Sequence, residues 1–333
     1  MMNTTDSYAA LRTTAGLYHR QGEVIRLTGL HRGRLLSWML AKQSEFAEPG
    51  TVLESLILDA DGAVEGAVLV VFDEDSILVL GDTSPSLLHV ATSAIDSMQL
   101  AETHVQQEED FGFAIAVEGP LSWKVTDGIP DDDMAEILLN EWRPGNLDGQ
   151  KCIVVRIGTT AEYGYVLFTS LEAGPSAMQK LAVRSQDVAG GEIDPSVLRR
   201  AQAEVNHPVL PVQALGLSIF EAGIQWMAPP NRDDDYRGRS AVSFEPPTRR
   251  IVAASTSGED FPLEGQEVTD EGKPIGVVQL STPRAGLETG FGLLLLDVPY
   301  CVPGITLNVG GQTLTTLARP AVNPLSWTQQ IGA

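Results

Sequence analysis

Cysteine, basic side chains and long apolar runs are all scarce in this sequence. Only Cys152 and Cys301 occur among 333 residues, too few for a disulfide framework or a thiolate metal site, so we expect two reduced thiols. Lysine and arginine number 22 against 44 aspartates and glutamates, a net charge of −22. Such a surface repels polyanions, so nucleic acid is not an expected partner.

No apolar run approaches the ~20 residues that a bilayer-spanning helix needs, so no membrane partner is expected. The opening residues lack the basic and then apolar order of a signal peptide, which favours a cytoplasmic protein. The sequence also has no P-loop, no G-x-G-x-x-G opening a βαβ unit, no G-x-S-x-G and no H-E-x-x-H. Its five histidines are scattered without ligand spacing, so no metal is expected.

Strand and helix periodicities alternate along the first two thirds of the chain. Strand spacing over 23–30 precedes helical spacing over 32–46, and two apolar runs over 54–72 flank Asp61-Gly62, a dipeptide typical of hairpin turns. Further strands are predicted at 76–82, 111–120, 151–158 and 163–170, and further helices at 86–98 and 174–184. This order predicts an α+β architecture.

From about Thr248 the pattern changes to short apolar strands separated by glycine-rich turns. This spacing predicts a small antiparallel β-barrel over 248–333. Proline and aspartate concentrate in 231–247, so we interpret that stretch as a linker after a first domain, residues 1–230, with two α+β subdomains. The barrel core is expected to contain Ile275, Val277, Val278 and Leu294.

Two acids and three aromatic residues stand out as candidate site residues. Glu65 and Glu162 lie beside apolar strands, and an acid held against an apolar wall can transfer protons. Tyr163, Tyr165 and Trp226 could form the walls of a pocket. A solvent-facing Glu65 at the start of its strand is the competing interpretation, since structural carboxylates outnumber catalytic ones.

An ordered set of motifs from about 16 to 320 resembles the T-protein of the glycine cleavage system and its aminomethyltransferase-like, folate-binding relatives. GLYHRQGEVIRLTGL stands where that family has LFDVSHM, DADGAVEGAVLVV where it has G-G-x-x-D-D-L, and VEGP where it has LQGP. CIVVRIGTTAEYGYVLF resembles C-x-x-x-R-x-G-Y-T-G-E-D-G-x-E, FEAG resembles LEAG, and KPIGVVQLS resembles IG-x-V-T-S. The resemblance implies a three-subdomain ring around a central hole, with a small C-terminal β-barrel.

The same resemblance implies that polar contacts to folate are replaced. The hairpin acid that the family uses near the reacting nitrogen falls on Gly66, with Glu65 one position earlier. The glutamate that pairs with the pterin falls on Val166, and the arginine near folate falls on Leu215. The site residues implied are Glu65 and Glu162 as catalytic candidates and, around the cofactor, Tyr163, Tyr165, Val166, Leu215, Glu221 and Trp226.

Three functions stay open on the sequence. The first is one-carbon transfer, of an aminomethyl or methyl group, from a small molecule to tetrahydrofolate, with Glu65 as the shifted acid. The second is a folate-independent enzyme acting on another small metabolite in the same cavity, and the third is a non-catalytic binding or scaffolding protein. Two lost pterin contacts, at ~1 to 3 kcal/mol each, predict weak or absent tetrahydrofolate binding. The oligomeric state is left open.

Overall fold

The computed structural model describes residues 1–210, 212–229, 231–232 and 234–332. Its helices are α1 Thr4–Thr13, α2 Arg32–Met39, α3 Leu87–Met98, α4 Ser122–Thr126, α5 Gly174–Gln186 and α6 Pro195–Glu204. Short 3₁₀ turns lie at Val212–Ala214, Gln225–Met227, Arg239–Ala241 and Leu325–Trp327. Within the described residues, none of these helices has the length and apolar character needed to cross a membrane.

Two largely antiparallel sheets occupy the first two thirds of the chain. Their strands are β1 Gly16–His19, β2 Glu23–Gly29, β3 Val52–Leu58, β4 Val64–Phe72, β5 Ser76–Gly81, β6 Thr103–Gln107, β7 Phe113–Glu118, β8 Trp142–Leu147, β9 Gln150–Arg156, β10 Gly164–Thr169 and β11 Gly191–Glu192. The first sheet has the order β3-β4-β5-β2-β6, and the second has the order β11-β1-β7-β10-β9-β8.

The two sheets pack face to face, and each carries helices on its outer face. Leu69 of β4 and Val166 of β10 belong to the apolar cluster between the sheets. Their neighbours point the other way, because side chains alternate along a strand. Val68 packs with residues of α2 and α3, and Tyr165 packs with residues of α4 and α5. The near-continuous apolar runs of these strands therefore serve two cores at once.

The helix predicted over 32–46 is shorter than expected and ends at Met39. Leu40 already has extended backbone angles, with φ −90° and ψ 145°. The amide of Ala41 donates to the carbonyl of Leu56 at 2.9 Å, which ties the chain to β3. Most helix stability in proteins comes from tertiary packing, and here the contact with a buried strand outweighs the helical periodicity.

A closed antiparallel barrel follows. Its strands are β12 Arg249–Thr256, β13 Glu267–Asp270, β14 Lys273–Thr282, β15 Phe291–Asp297, β16 Thr306–Val309 and β17 Gln312–Leu317, in the order β12-β15-β14-β13-β16-β17. Ile275, Val278 and Leu294 are buried in its core, as predicted. On β15, Leu294 faces this core and Leu293 faces the apolar cluster that joins the barrel to the segment before it.

The prediction for Val277 is wrong, because this residue is 36% exposed. The register of β14 against β13 skips Ile275, which forms a bulge. A bulge shifts the alternation of side chains by one position. Ile275 and Val278 therefore both point inward, while Val277 points outward.

The stretch interpreted as a linker is fastened to the first sheet's helices. The guanidinium of Arg232 is buried and donates to the carbonyls of Leu40 at 2.5 Å and Ser37 at 2.7 Å, and it pairs with Asp234 at 2.6 Å. Tyr236 is 2% exposed. We call residues 231–232 and 234–242 the strap. The predicted boundary at residue 230 falls outside the described residues, so the division into domains stays a prediction.

Candidate functional site

A cavity of about 350 Å³, here called the Glu65 cavity, opens where β4 begins and β5 ends. Its walls are residues 64–67 of β4, residues 80–84 at the end of β5, Arg20 and Gln21, Arg199 and Gln202 of α6, and residues 208–210. Both sheets' subdomains and the segment after α6 therefore meet at this cavity.

Glu65 lines the cavity, and its side chain is 9% exposed. The register between β3 and β4 shifts at this point: Ile57 faces Gly66, and Leu58 faces Val64. Glu65 is thus the extra residue of a bulge. A bulge re-aims side chains, which explains why Glu65 and Gly66 both line the cavity although they are adjacent in sequence.

Arg237 of the strap binds both oxygens of the Glu65 carboxylate. Its Nη2 donates to Oε1 at 2.9 Å, and its Nη1 donates to Oε2 and to the carbonyl of Leu58. A bidentate guanidinium fixes the orientation of a carboxylate. The carboxylate keeps lone pairs that a ligand can use, so Glu65 is an oriented acceptor in the cavity wall.

Gly66 has no room for a side chain. A Cβ added there would lie 2.5 Å from the carbonyl oxygen of Asp82 and 2.8 Å from Cγ2 of Thr83. The turn after β5 therefore fills the space in which a side chain at position 66 would begin. This close approach is the physical reason for a glycine directly after Glu65.

An ion pair separates the Glu65 cavity from a second cavity of about 300 Å³, here called the Trp226 cavity. Nη2 of Arg20 donates to Oε1 of Glu54 at 3.0 Å, and Nε2 of His207 lies 3.6 Å from Oε2 of Glu54. Burial pushes the pKa of Glu54 up, but His207 and Arg20 outweigh it and bring the pKa to about 2. Because Glu54 and His207 line the second cavity with Trp226, a charged partition stands between the two spaces.

A buried polar network centred on Glu118 supports this partition. The Glu118 carboxylate, 1% exposed, accepts hydrogen bonds from the Tyr18 hydroxyl at 2.6 Å and from the hydroxyls and amides of Thr159 and Thr160 at 2.7 to 2.9 Å. Gln202 donates to Oγ1 of Thr159 at 3.1 Å. Gln202 lines one cavity and Thr159 the other. A fully satisfied buried network of this kind rigidifies its surroundings.

Comparison with known proteins decides the family. The family model described as the GCVT N-terminal domain matches residues 2–204. This chain belongs to that family. The aminomethyltransferase of Streptomyces coelicolor is 24% identical over 311 residues, covering 90% of this chain and 82% of that protein. The aminomethyltransferase of Clostridium botulinum is 24% identical over 318 residues, with the same two coverages.

A crystal structure shares the fold of this GCVT-family chain. The glycine cleavage system aminomethyltransferase T from Bartonella henselae superposes with a TM-score of 0.82 at 17% identity, covering 96% of this chain and 90% of that one. The predicted fold class, the α+β ring of the T-protein with a closed C-terminal barrel, is confirmed.

Glu162, expected as an acid or base, lies in a structural contact of this GCVT-family fold. Its carboxylate, 1% exposed, accepts hydrogen bonds from the amides of Leu325 at 3.2 Å and Ser326 at 3.0 Å and from Oγ of Ser326 at 2.6 Å. Nη1 of Arg12 lies 3.7 Å away. These bonds tether the C-terminal segment to the second sheet, so Glu162 is not carried into the proposed chemistry.

The residues next to Glu162 also lie in packed regions. Tyr163 contacts the C-terminal segment, because its amide donates a hydrogen bond to Oγ of Ser326 at 2.8 Å. Tyr165 is fully buried against the helices, and burial raises its pKa to about 12. Val166 is 1% exposed and lies between the sheets. Among the described residues, the walls of the Glu65 and Trp226 cavities include none of these three.

The remaining predicted site residues are spread apart. Leu215 is 73% exposed on a turn. Glu221 accepts a hydrogen bond from Nε of Arg249 at 2.9 Å and from the amide of Ser218 at 2.9 Å, which ties its turn to β12. Trp226 lines the second cavity and is 41% exposed. Of the residues predicted from sequence, Glu65 and Trp226 are thus the two at the cavities.

Arg20, Glu54, Gln202, His207 and Arg237 were missed by reasoning from the sequence. Glu54 carried a usable signal, because it interrupts the apolar run VLESLIL of β3. The other four lie in loops or on a polar helix face, where charged residues are ordinary. Their convergence depends on the tertiary path of the chain.

The positions that the sequence resemblance assigns to folate contacts carry no polar side chain for a pterin. Position 66 has no space for a side chain, Val166 is buried between the sheets, and Leu215 lies on an exposed turn. A buried pterin needs acceptors for its amide and amino hydrogens, and each donor left unpaired costs ~1 to 3 kcal/mol. The partition by Arg20 and Glu54 also divides the space. We therefore assign no chemical step to folate.

Proposed function

We propose that this protein is an enzyme that binds a compact polar molecule in the Glu65 cavity and acts on it without tetrahydrofolate. The observation that carries the proposal is the Glu65 carboxylate, which is 9% exposed and held by Arg237 in the cavity wall. A volume of about 350 Å³ lies at the lower end of the roughly 300 to 1,000 Å³ typical of ligand sites. Such a space suits a small metabolite as substrate.

The polar groups around the cavity support acid–base or electrostatic catalysis. Glu65 would polarise or deprotonate the ligand, as a fixed carboxylate can do when it lies within hydrogen-bonding reach. Arg20 and Gln202, which also line the cavity, would donate hydrogen bonds to developing negative charge. Arg237 would keep the carboxylate oriented without touching the reacting atoms.

One-carbon transfer from a small molecule to tetrahydrofolate is the second candidate. Family membership supports it, and so does the bulge that turns Glu65 to the cavity one position from the family's acid. The replaced contacts at Gly66, Val166 and Leu215 oppose it. The two candidates differ in one measurable property, the affinity for tetrahydrofolate.

Titration calorimetry with tetrahydrofolate separates the two candidates, with the Streptomyces coelicolor aminomethyltransferase as the comparison protein. We expect a dissociation constant above about 30 µM, because two unpaired donors at ~1 to 3 kcal/mol each remove roughly 30-fold or more from an affinity of about 1 µM. Saturable binding in the low micromolar range would contradict the folate-independent proposal and favour one-carbon transfer.

A ligand search tests the Glu65 cavity directly. The purified protein is incubated with a metabolite extract and desalted, and the retained small molecules are identified by mass spectrometry. We expect Glu65→Gln to lose the retained compound, while Glu172→Gln, a change at an exposed glutamate, keeps it. Retention of the same compound at the same level by Glu65→Gln would show that the cavity is not the binding site.

A further inference from the structure

A third cavity, of about 360 Å³, lies at the opposite end of the two-sheet sandwich. The Glu65 cavity contacts the start of β4, whereas the third cavity contacts Val71 near its end. From Glu65 to Val71 a strand advances by about 20 Å. β5 runs back between the same two ends, with Leu78 at the third cavity and Gly81 at the Glu65 cavity. The third cavity is therefore a separate space.

The third cavity exists because the two sheets do not close on each other at this end. Apolar side chains form most of its wall, including Leu78, Phe111, Trp142 and Ile153. Gly145 of β8 also lines the cavity, and a glycine is needed there because an added Cβ would lie 2.5 Å from the carbonyl oxygen of Ile129.

Arg26 is a cation fixed at the wall of this cavity. Its Nε pairs with Glu108, which is 3% exposed, and its Nη1 donates to Oγ of Ser76 at 2.7 Å. Its guanidinium carbon lies 5.9 Å from the centroid of the Phe111 ring. Among the described residues, Nη2 of Arg26 has no hydrogen-bond acceptor. Two protein acceptors therefore hold the guanidinium so that Nη2 stays available, and such preorganisation favours binding.

We propose that the third cavity binds a compact aromatic molecule that carries a carbonyl or carboxylate oxygen. The ring would lie against Trp142 and Phe111, and the oxygen would accept a hydrogen bond from Nη2 of Arg26. A cationic end group is disfavoured, because it would meet the guanidinium inside the cavity. Asp73 and Asp131 also line the cavity but are exposed, where water and salt screen their charge.

Methyl NMR with three matched probes tests this proposal on the full chain. The probes are 2-naphthoate, 2-naphthamide and 2-naphthylmethylammonium, which share a ring and differ in the end group. We expect the first two to shift the methyl signals of Val71, Leu78 and Ile153 saturably, with the signal of Val64 at the Glu65 cavity unchanged. The ammonium compound should bind at least tenfold more weakly. The ratio of naphthoate to naphthamide affinity tells whether a charged or a neutral oxygen is preferred.

Two variants assign the contacts. Arg26→Lys keeps a positive charge beside Glu108 but loses Nη2, so both oxygen-bearing probes should bind about tenfold more weakly. Arg143→Lys is a matched change outside the cavity wall and should leave their binding unaltered. Phe111→Leu, which spares Arg26, should weaken all three probes severalfold. The proposal is overturned if neither oxygen-bearing probe shifts these methyls saturably, if the ammonium compound binds equally well, or if a folded Arg26→Lys binds naphthoate as the wild type does.

Discussion

Replacing Gly66 with alanine should destabilise the first sheet. The new Cβ would lie 2.5 Å from the carbonyl oxygen of Asp82. Ordinary carbon–oxygen contacts begin at about 3.3 Å, so one side has to retreat by roughly 0.8 Å. Asp82 directly follows Gly81, which pairs with Val68 of β4. The retreat therefore strains the hydrogen bonds between β4 and β5.

The expected loss in free energy of unfolding follows from two opposing effects. Overpacking by a methyl group in rigid surroundings costs about 1 to 3 kcal/mol. Removing a glycine from the unfolded chain returns about 0.4 to 1 kcal/mol. The net loss for Gly66→Ala is therefore about 0 to 2.6 kcal/mol. Gly33→Ala is the matched control, since an added Cβ in α2 meets nothing within 4 Å, and it should gain about 0.5 to 1 kcal/mol.

The assay is urea unfolding followed by circular dichroism, with the midpoint of the first transition compared among the three proteins. A chain with several subdomains need not unfold in one step, so the first transition is the relevant one. The reasoning is refuted if Gly66→Ala is as stable as Gly33→Ala, because the glycine would then have been removed without any clash. It is refuted more strongly if Gly66→Asp is stable and binds tetrahydrofolate, because the hairpin would then accommodate the family's acid.

Three further predictions concern buried acids and the sheet interface. The pKa of Glu54 is about 2, below its ordinary value of 4.5, so its contribution is complete above pH 4.5 and lost as the pH falls towards 2. As the pH falls from 4.5 to 2, the free energy of unfolding of Glu54→Gln should therefore decrease by up to ~3 kcal/mol less than that of the wild type. Glu162→Gln should speed hydrogen exchange at the amides of Leu325 and Ser326, with ligand retention at the Glu65 cavity unchanged. Val166→Glu should lower the unfolding midpoint severely, since it puts an unpaired charge between the sheets, and a midpoint equal to that of Val166→Leu would contradict its burial.

Periodicity predicted β2 to β5, β7, β9 and β10, because these strands are buried on both faces or alternate cleanly, whereas the short or mostly polar strands β1, β6 and β8 were not predicted. It failed where a local irregularity changed the pattern. The helix predicted to residue 46 ends at Met39 because the next residues bind β3. The outward position of Val277 follows from the bulge at Ile275, which leaves no mark in an apolar run.

The candidate site could be predicted only in part for a similar reason. The hairpin pattern was enough to draw attention to Glu65 and Gly66. The partner of Glu65 is Arg237, 172 residues further along the chain, and neither its residue type nor its spacing indicates the contact. The same holds for the approach of Asp82 to Gly66, which depends on how the turn after β5 closes. Contacts between distant segments are set by the packed fold, so a single sequence does not reveal them.

The carboxylate of Glu65 is held by its surroundings and is not left unpaired. A carboxylate that is 9% exposed would cost several kcal/mol if its charge were left unpaired. Here the bulge turns Glu65 to the cavity, the carbonyl oxygen of Asp82 lies where a side chain at Gly66 would begin, and Arg237 of the strap forms an ion pair with the Glu65 carboxylate. This fixed carboxylate in the cavity wall is the geometry on which the proposed binding of a small metabolite rests.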